Sequence, residues 1–217
     1  MQIQTTGLNL FDYLADADKA DKALEKAVAW QKNNISTELG NIQSSLQSGQ
    51  IDDALKRLQS GEGGISLQTL DNMIAFNLRP VQADLVDMAA RLGIEQSVEL
   101  TLSGGKWQIH SNDLGAKGAT EQLQHYLDRN KALTTKLGKL NSLSQFYELG
   151  KTQQYALQLK DAGVEEKQLV NFLTASRQSI FALDNFQLSA NSLSLGSRGE
   201  AANLFAKAKA EFDLDTD

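Results

Sequence analysis

Cysteine is absent from the 217 residues of this chain. That excludes a disulfide framework, a thiol nucleophile and a thiolate metal site, while cytoplasmic residence and leaderless secretion both stay compatible with the sequence. Proline occurs once, at Pro80, and aromatic residues make up only 6%. Apolar content drawn mainly from Leu, Ala and Ile suits helices that pack by their stripes better than a large sheet. No apolar run reaches the ~18–20 residues that span a bilayer. The start of the chain carries Asp12, Asp16, Asp18 and Asp21 where a cleaved signal peptide has an apolar core, so neither a transmembrane segment nor a cleaved leader is expected. Positive charge is also scarce. The net charge is −6, and the longest basic stretch, Lys131, Lys136 and Lys139, has no interleaved aromatics and reads as a solvated helix face. A nucleic-acid partner is therefore not expected.

What remains is a foldable composition, 41% apolar and 22% charged, in a chain long enough to bury a core. Between Ala15 and Ser48, Leu24, Val28, Ile35, Leu39, Ile42 and Leu46 recur on one face of a predicted long helix. Ser48 and Gly49 stop it. Asp52 and Asp53 then open a shorter helix with Ala54, Leu55 and Leu58, completing a helical hairpin over residues 1–60. The segment GQIDDALKRLQ, Gly49 to Gln59, resembles one helix of a tetratricopeptide-type repeat. No second copy follows at a fixed spacing, so no repeat array is expected. The glycine-dense stretch 61–64 reads as a linker to a second unit, residues 65–217.

In that unit Ser66 is placed to cap a helix bearing Leu67, Leu70 and Ile74, and Pro80 is read as the start of another with Leu85, Met88, Ala89 and Leu92. Gly93 followed by Ile94 is the expected stop. In VELTLSGGKWQIHS, Val98 to Ser111, two alternating runs flank Gly104-Gly105, which tolerate the positive φ of a two-residue hairpin turn. Pairing Ser103 with Lys106 sets Leu102 opposite Trp107 and Leu100 opposite Ile109 on one face. Thr101 with Gln108 and Glu99 with His110 fall on the other. Leu123, Tyr126 and Leu127 mark a helix. A longer one runs from Leu133 through Phe146, its spacing continuing through Tyr155 and Leu159 to Gly163 while Gly138 and Gly150 weaken its continuity. Glu165 and Glu166 open the next. NFQLSANSLSLG predicts a second hairpin, with Leu188 opposite Leu193 and Phe186 opposite Leu195, and the two hairpins are expected to join in one four-stranded antiparallel sheet. A helix with Ala201, Leu204, Phe205 and Ala208 closes the chain, before an acidic tail.

The inventory of reactive groups is thin. The two histidines, His110 and His125, lack the tight spacing of zinc ligands, even counting Glu99 and Glu121. Asp16, Asp18 and Asp21 lack the glycine and closing glutamate of a calcium loop. No nucleophile elbow or phosphate-binding loop is present; Gly104-Gly105-Lys106 leads into a strand, not a helix N-terminus. Hence no catalytic residue, cofactor or metal is expected. The sequence predicts an α+β, predominantly helical chain that acts as a non-catalytic structural or protein-interaction protein. Its candidate surface is the N-terminal stripe Leu24, Val28, Ile35, Leu39, Ile42 and Leu46 with Trp30, which falls outside that stripe, offered to a protein partner or a second copy. The alternatives are a carboxylate-based hydrolase with a cleft, and a leaderless exported bacterial protein suggested by the polar start MQIQTTGLN.

Overall fold

Alternation in the strands and three-and-four spacing in the helices sort the chain into helical layers and a small sheet. The computed structural model describes residues 50–60, 65–113, 115 and 117–214. Among these, six helices and four strands follow in the order α1 (Gln50–Gln59), α2 (Leu67–Arg91), β1 (Val98–Ser103), β2 (Lys106–His110), α3 (Lys117–Arg129), α4 (Lys131–Asp161), α5 (Glu166–Ala182), β3 (Asn185–Leu188), β4 (Leu193–Leu195) and α6 (Glu200–Glu211). The fold is α+β and predominantly helical, as expected. The predicted helix of residues 15–48 and the stretch 61–64 lie outside the described residues.

Both hairpins have the predicted register. Glu99, Leu100, Thr101, Leu102 and Ser103 pair with His110, Ile109, Gln108, Trp107 and Lys106, around glycines at φ 57° and 78° that a side chain would strain. Phe186 and Leu188 pair with Leu195 and Leu193. Strand β3 also pairs with β1, so the sheet order is β2-β1-β3-β4. Val98, Leu100, Trp107, Phe186, Leu188, Leu193 and Leu195 are buried on one face, while Gln108, His110, Gln187 and Ser194 are exposed on the other. The apolar face covers α2, α3 and the first half of α4, where the Trp107 indole donates to the Thr134 carbonyl at 3.1 Å. Glu99 and His110 are backbone partners, yet the Glu99 carboxylate accepts from the Asn185 side-chain amide.

Strand β2 is an edge, and a row of unpaired backbone groups invites another chain. A side chain closes it. The Gln124 amide of α3 accepts from Ile109 N–H at 3.0 Å and donates to the Trp107 carbonyl at 2.8 Å, taking the place of a neighbouring strand. Gln124→Ala is expected to lower stability by about 1–2 kcal/mol, read from the urea midpoint, and to give self-association that grows with concentration. Gln124→Glu, which still accepts but no longer donates, should fall between. A monodisperse Gln124→Ala protein with an unchanged midpoint would show that this amide does not guard the edge.

Two sequence readings are corrected. Pro80 does not begin a new helix: it sits inside α2, which is continuous from Leu67 to Arg91. A proline removes one helical hydrogen bond and frees the carbonyl four residues earlier, here that of Phe76. Both Phe76 and Pro80 are on the exposed side, so the freed carbonyl lies where solvent reaches it. Likewise Gly150 does not weaken α4. A Cβ there would come within 2.5 Å of Leu67 Cδ2, so glycine lets α2 and α4 approach closely. The predicted helix ends hold: Ser66 accepts from Thr69 N–H at 3.1 Å, Ile94 N–H closes on the Ala89 carbonyl after Gly93, and Val164 N–H closes on Leu159 after Gly163.

Along α4 the core divides in two. Leu133, Leu137, Leu140 and Leu143 join the sheet, α1, α2 and α3 in one apolar cluster. Ala156 and Leu159 join α5 and α6 in a second.

Candidate functional site

Between the two clusters runs a buried polar seam. Asn141, Ser144, Gln145, Glu148 and Thr152, spaced on one face of α4, are buried together with Ser176 of α5 and Ser197 of the β4–α6 turn. Asp184 accepts from the Asn141 amide at 2.8 Å and the Gln145 amide at 2.9 Å, and its carbonyl accepts from Leu102 N–H of the sheet. The Ser144 and Ser197 hydroxyls share a hydrogen bond of 2.8 Å. Glu148 is 2% exposed. One of its carboxylate oxygens accepts from Gly199 N–H at 3.0 Å and the other from Ala201 N–H at 3.0 Å. Those amides begin α6, which has no side-chain cap of its own. The carboxylate therefore supplies acceptors that a helix N-terminus requires, and its charge complements the helix dipole. Both oxygens are committed to backbone. The seam thus orients α5, α6 and the sheet about α4.

A tyrosine joins α3 to α2. The Tyr126 hydroxyl donates to the Asp84 carboxylate, 2.9 Å from each oxygen. Burial first, then the hydrogen bond to Asp84, raise its pKa above the ordinary tyrosine value; the hydrogen bond with Asn130 opposes them, and the negative charge of Asp84 adds the smallest push upward. Because the folded state holds the neutral phenol, this contribution to stability is complete below the unfolded pKa near 10 and is lost as pH rises through the higher folded value. In an alkaline absorbance titration the Tyr126 phenolate should appear as a late component, above the ordinary tyrosine range. That late component should vanish in Tyr126→Phe and move to lower pH in Asp84→Asn; a wild-type titration without it would contradict the assignment.

Helix α2 has two faces of different character. Leu70, Met73, Ile74, Val81, Leu85 and Ala89 are buried against the core. On the other side Phe76 is 52% exposed, the most exposed large apolar side chain among the described residues. It lines an open groove of about 700 Å³ with Ala75, Leu78, Arg79, Ala83 and Val86. A contiguous exposed apolar patch marks a contact surface where a lone exposed apolar residue does not, and here Phe76 has Ala75, Ala83 and Val86 beside it. The sequence carries this signal only as an excess of apolar residues on α2, and the core stripe alone does not single out Phe76.

The sequence-predicted surface, Leu24, Val28, Trp30, Ile35, Leu39, Ile42 and Leu46, lies outside the described residues. Trp107 is a core residue, stacked edge-on against Phe186 with centroids 5.4 Å apart. Among the described residues no group of three or more His, Asp or Glu side chains is arranged to hold a metal ion, and no helix is long and apolar enough to cross a membrane. Compared with protein-family models, with curated proteins and with solved structures, the chain matches none of them.

Proposed function

We propose that this chain is a non-catalytic structural or protein-interaction protein that works through helical apolar surface, the outer face of α2 being the described part of that surface. The observation that carries the reading is the exposure of Phe76 in an apolar groove on a helix whose opposite face is fully packed. The disposition of Glu148 supports it. This deeply buried carboxylate holds a helix end, whereas an acid–base residue needs an oxygen within reach of a substrate proton.

The test is Phe76→Asp in the full chain, read by light scattering across a concentration range and by thermal melting. On a surface that touches nothing, such a substitution changes stability by no more than about 0.5 kcal/mol and leaves the molar mass alone. On a contact surface it places a carboxylate in an apolar interface. The expected result is a lower molar mass if the contact is between chains, or a lower melting temperature if it is within one. A variant with unchanged mass and unchanged melting would end this reading.

A further inference from the structure

We propose that the occupant of the α2 groove is the chain's own segment 24–46, seated through about half of its stripe Leu24, Val28, Ile35, Leu39, Ile42 and Leu46, since a helix over the whole stripe is about twice as long as the groove. This rests on reading the outer face of α2 as a contact surface, and adds which partner fills it.

The argument begins where the described chain starts. Helix α1 opens at Gln50, four residues after Leu46, the last member of the stripe. Its Asp52 pairs with Lys139 of α4 at 2.7 Å, and Ile51, Ala54 and Leu55 are buried in the same cluster as the inner face of α2. Helix α1 packs on α4, and its level along α2 follows from two ties between α2 and α4. Leu67 lies against Gly150. Four residues further along α2, Asp71 pairs with Arg198, whose guanidinium stands 4.0 Å from the ring centroid of Tyr147, an earlier residue of α4. The two helices therefore run antiparallel. Lys139 precedes Gly150 by as many residues as Leu78 follows Leu67, and so lies level with Leu78, a residue of the groove. The chain thus enters α1 on the α4 side of α2, at the level of the groove along the helix.

Chemistry and chain connectivity then agree. The groove offers Phe76, Ala75, Ala83 and Val86 in an apolar strip that follows the axis of a helix. The stripe offers Leu, Ile and Val at helical spacing, the pattern by which an amphipathic helix fills such a groove. A segment tethered this closely meets the groove at an effective concentration of about millimolar, so it outcompetes a second copy in dilute solution.

The absence of cysteine makes the test clean. Ala90, exposed on α2 one turn beyond Val86, is replaced in the full chain by Ala90→Cys and given a nitroxide spin label, and amide intensities are compared with the reduced label by NMR. The expected result is loss of more than half the intensity across residues 24–46, reversed when Phe76→Asp is added. A mixture of isotope-enriched chain without the label and unenriched labelled chain should show no such loss. Loss in the mixture would make a second copy the occupant and overturn the proposal. Undiminished intensities, or a loss that persists with Phe76→Asp, would overturn it too. If the segment is unaffected while Phe76→Asp still lowers the mass or the melting temperature, only the own-chain occupant fails; if neither responds, the contact reading fails with it.

Discussion

Replacing Glu148 by leucine should cost about 2–6 kcal/mol, because two buried backbone N–H groups lose their acceptor and each such orphan costs ~1–3 kcal/mol. The volume of the site changes little, so the effect is not one of cavity formation. A buried ion pair can often be exchanged for apolar residues with small loss when both partners are replaced. Here the partners are the Gly199 and Ala201 amides, which no side-chain substitution removes. The first turn of α6 would also lose the negative charge that complements its dipole. Glu148→Gln should cost less, since its carbonyl oxygen still serves one amide while its NH2 opposes the other. Urea unfolding gives the comparison, with the slope unchanged and the midpoint falling in the order wild type, Gln, Leu. Hydrogen exchange supplies a local reading: the Gly199 and Ala201 amides should exchange faster in the leucine variant than amides in the sheet. A leucine variant as stable as wild type would mean that the carboxylate is not what holds this helix end.

The Glu148 contact was also the kind of feature that sequence could not disclose. A polar residue on a helix reads by default as solvent-facing, and the partner amides lie some fifty residues further along the chain. The hairpins were legible because their information is local. Gly104-Gly105 dictates the turn, the turn fixes the pairing, and alternation then assigns each side chain to a face. Helix stops at Gly93 and Gly163 were legible for the same reason, since the left-handed residue and the apolar residue after it are adjacent. Pro80 and Gly150 misled because each has a local meaning that tertiary context overrides. Whether a proline breaks a helix depends on which side the freed carbonyl faces, and whether a glycine weakens one depends on what approaches it. The outer face of α2 was half legible: its apolar residues are in the sequence, but only packing on the opposite side shows that Phe76 is surplus to the core.

Phe186→Ala should lower stability by about 3–5 kcal/mol, the cost of emptying a large aromatic site in a core that relaxes only in part. Phe186 is fully buried, lies between Leu100 of β1 and Leu195 of β4 in the register, and meets the Trp107 ring edge-on. It belongs to β3, the strand through which the second hairpin joins the first. Its loss therefore weakens both the contact with the helical layer and the seam between hairpins. The contrasting substitution is Ser194→Ala on β4, one residue from Leu195 but on the exposed face, where a change within about 0.5 kcal/mol is expected. Because side chains alternate with period two, slipping β4 by one residue against β3 would turn Ser194 inward and Leu195 outward. A loss at Ser194 well above ~0.5 kcal/mol would therefore contradict the register. A double-mutant cycle with Trp107→Leu isolates the ring contact, for which a coupling of about 0.5–1.5 kcal/mol is expected. The rest of the loss from Phe186→Ala is then burial and cavity, which places the weight of the sheet on its apolar face rather than on the polar pairs that face water.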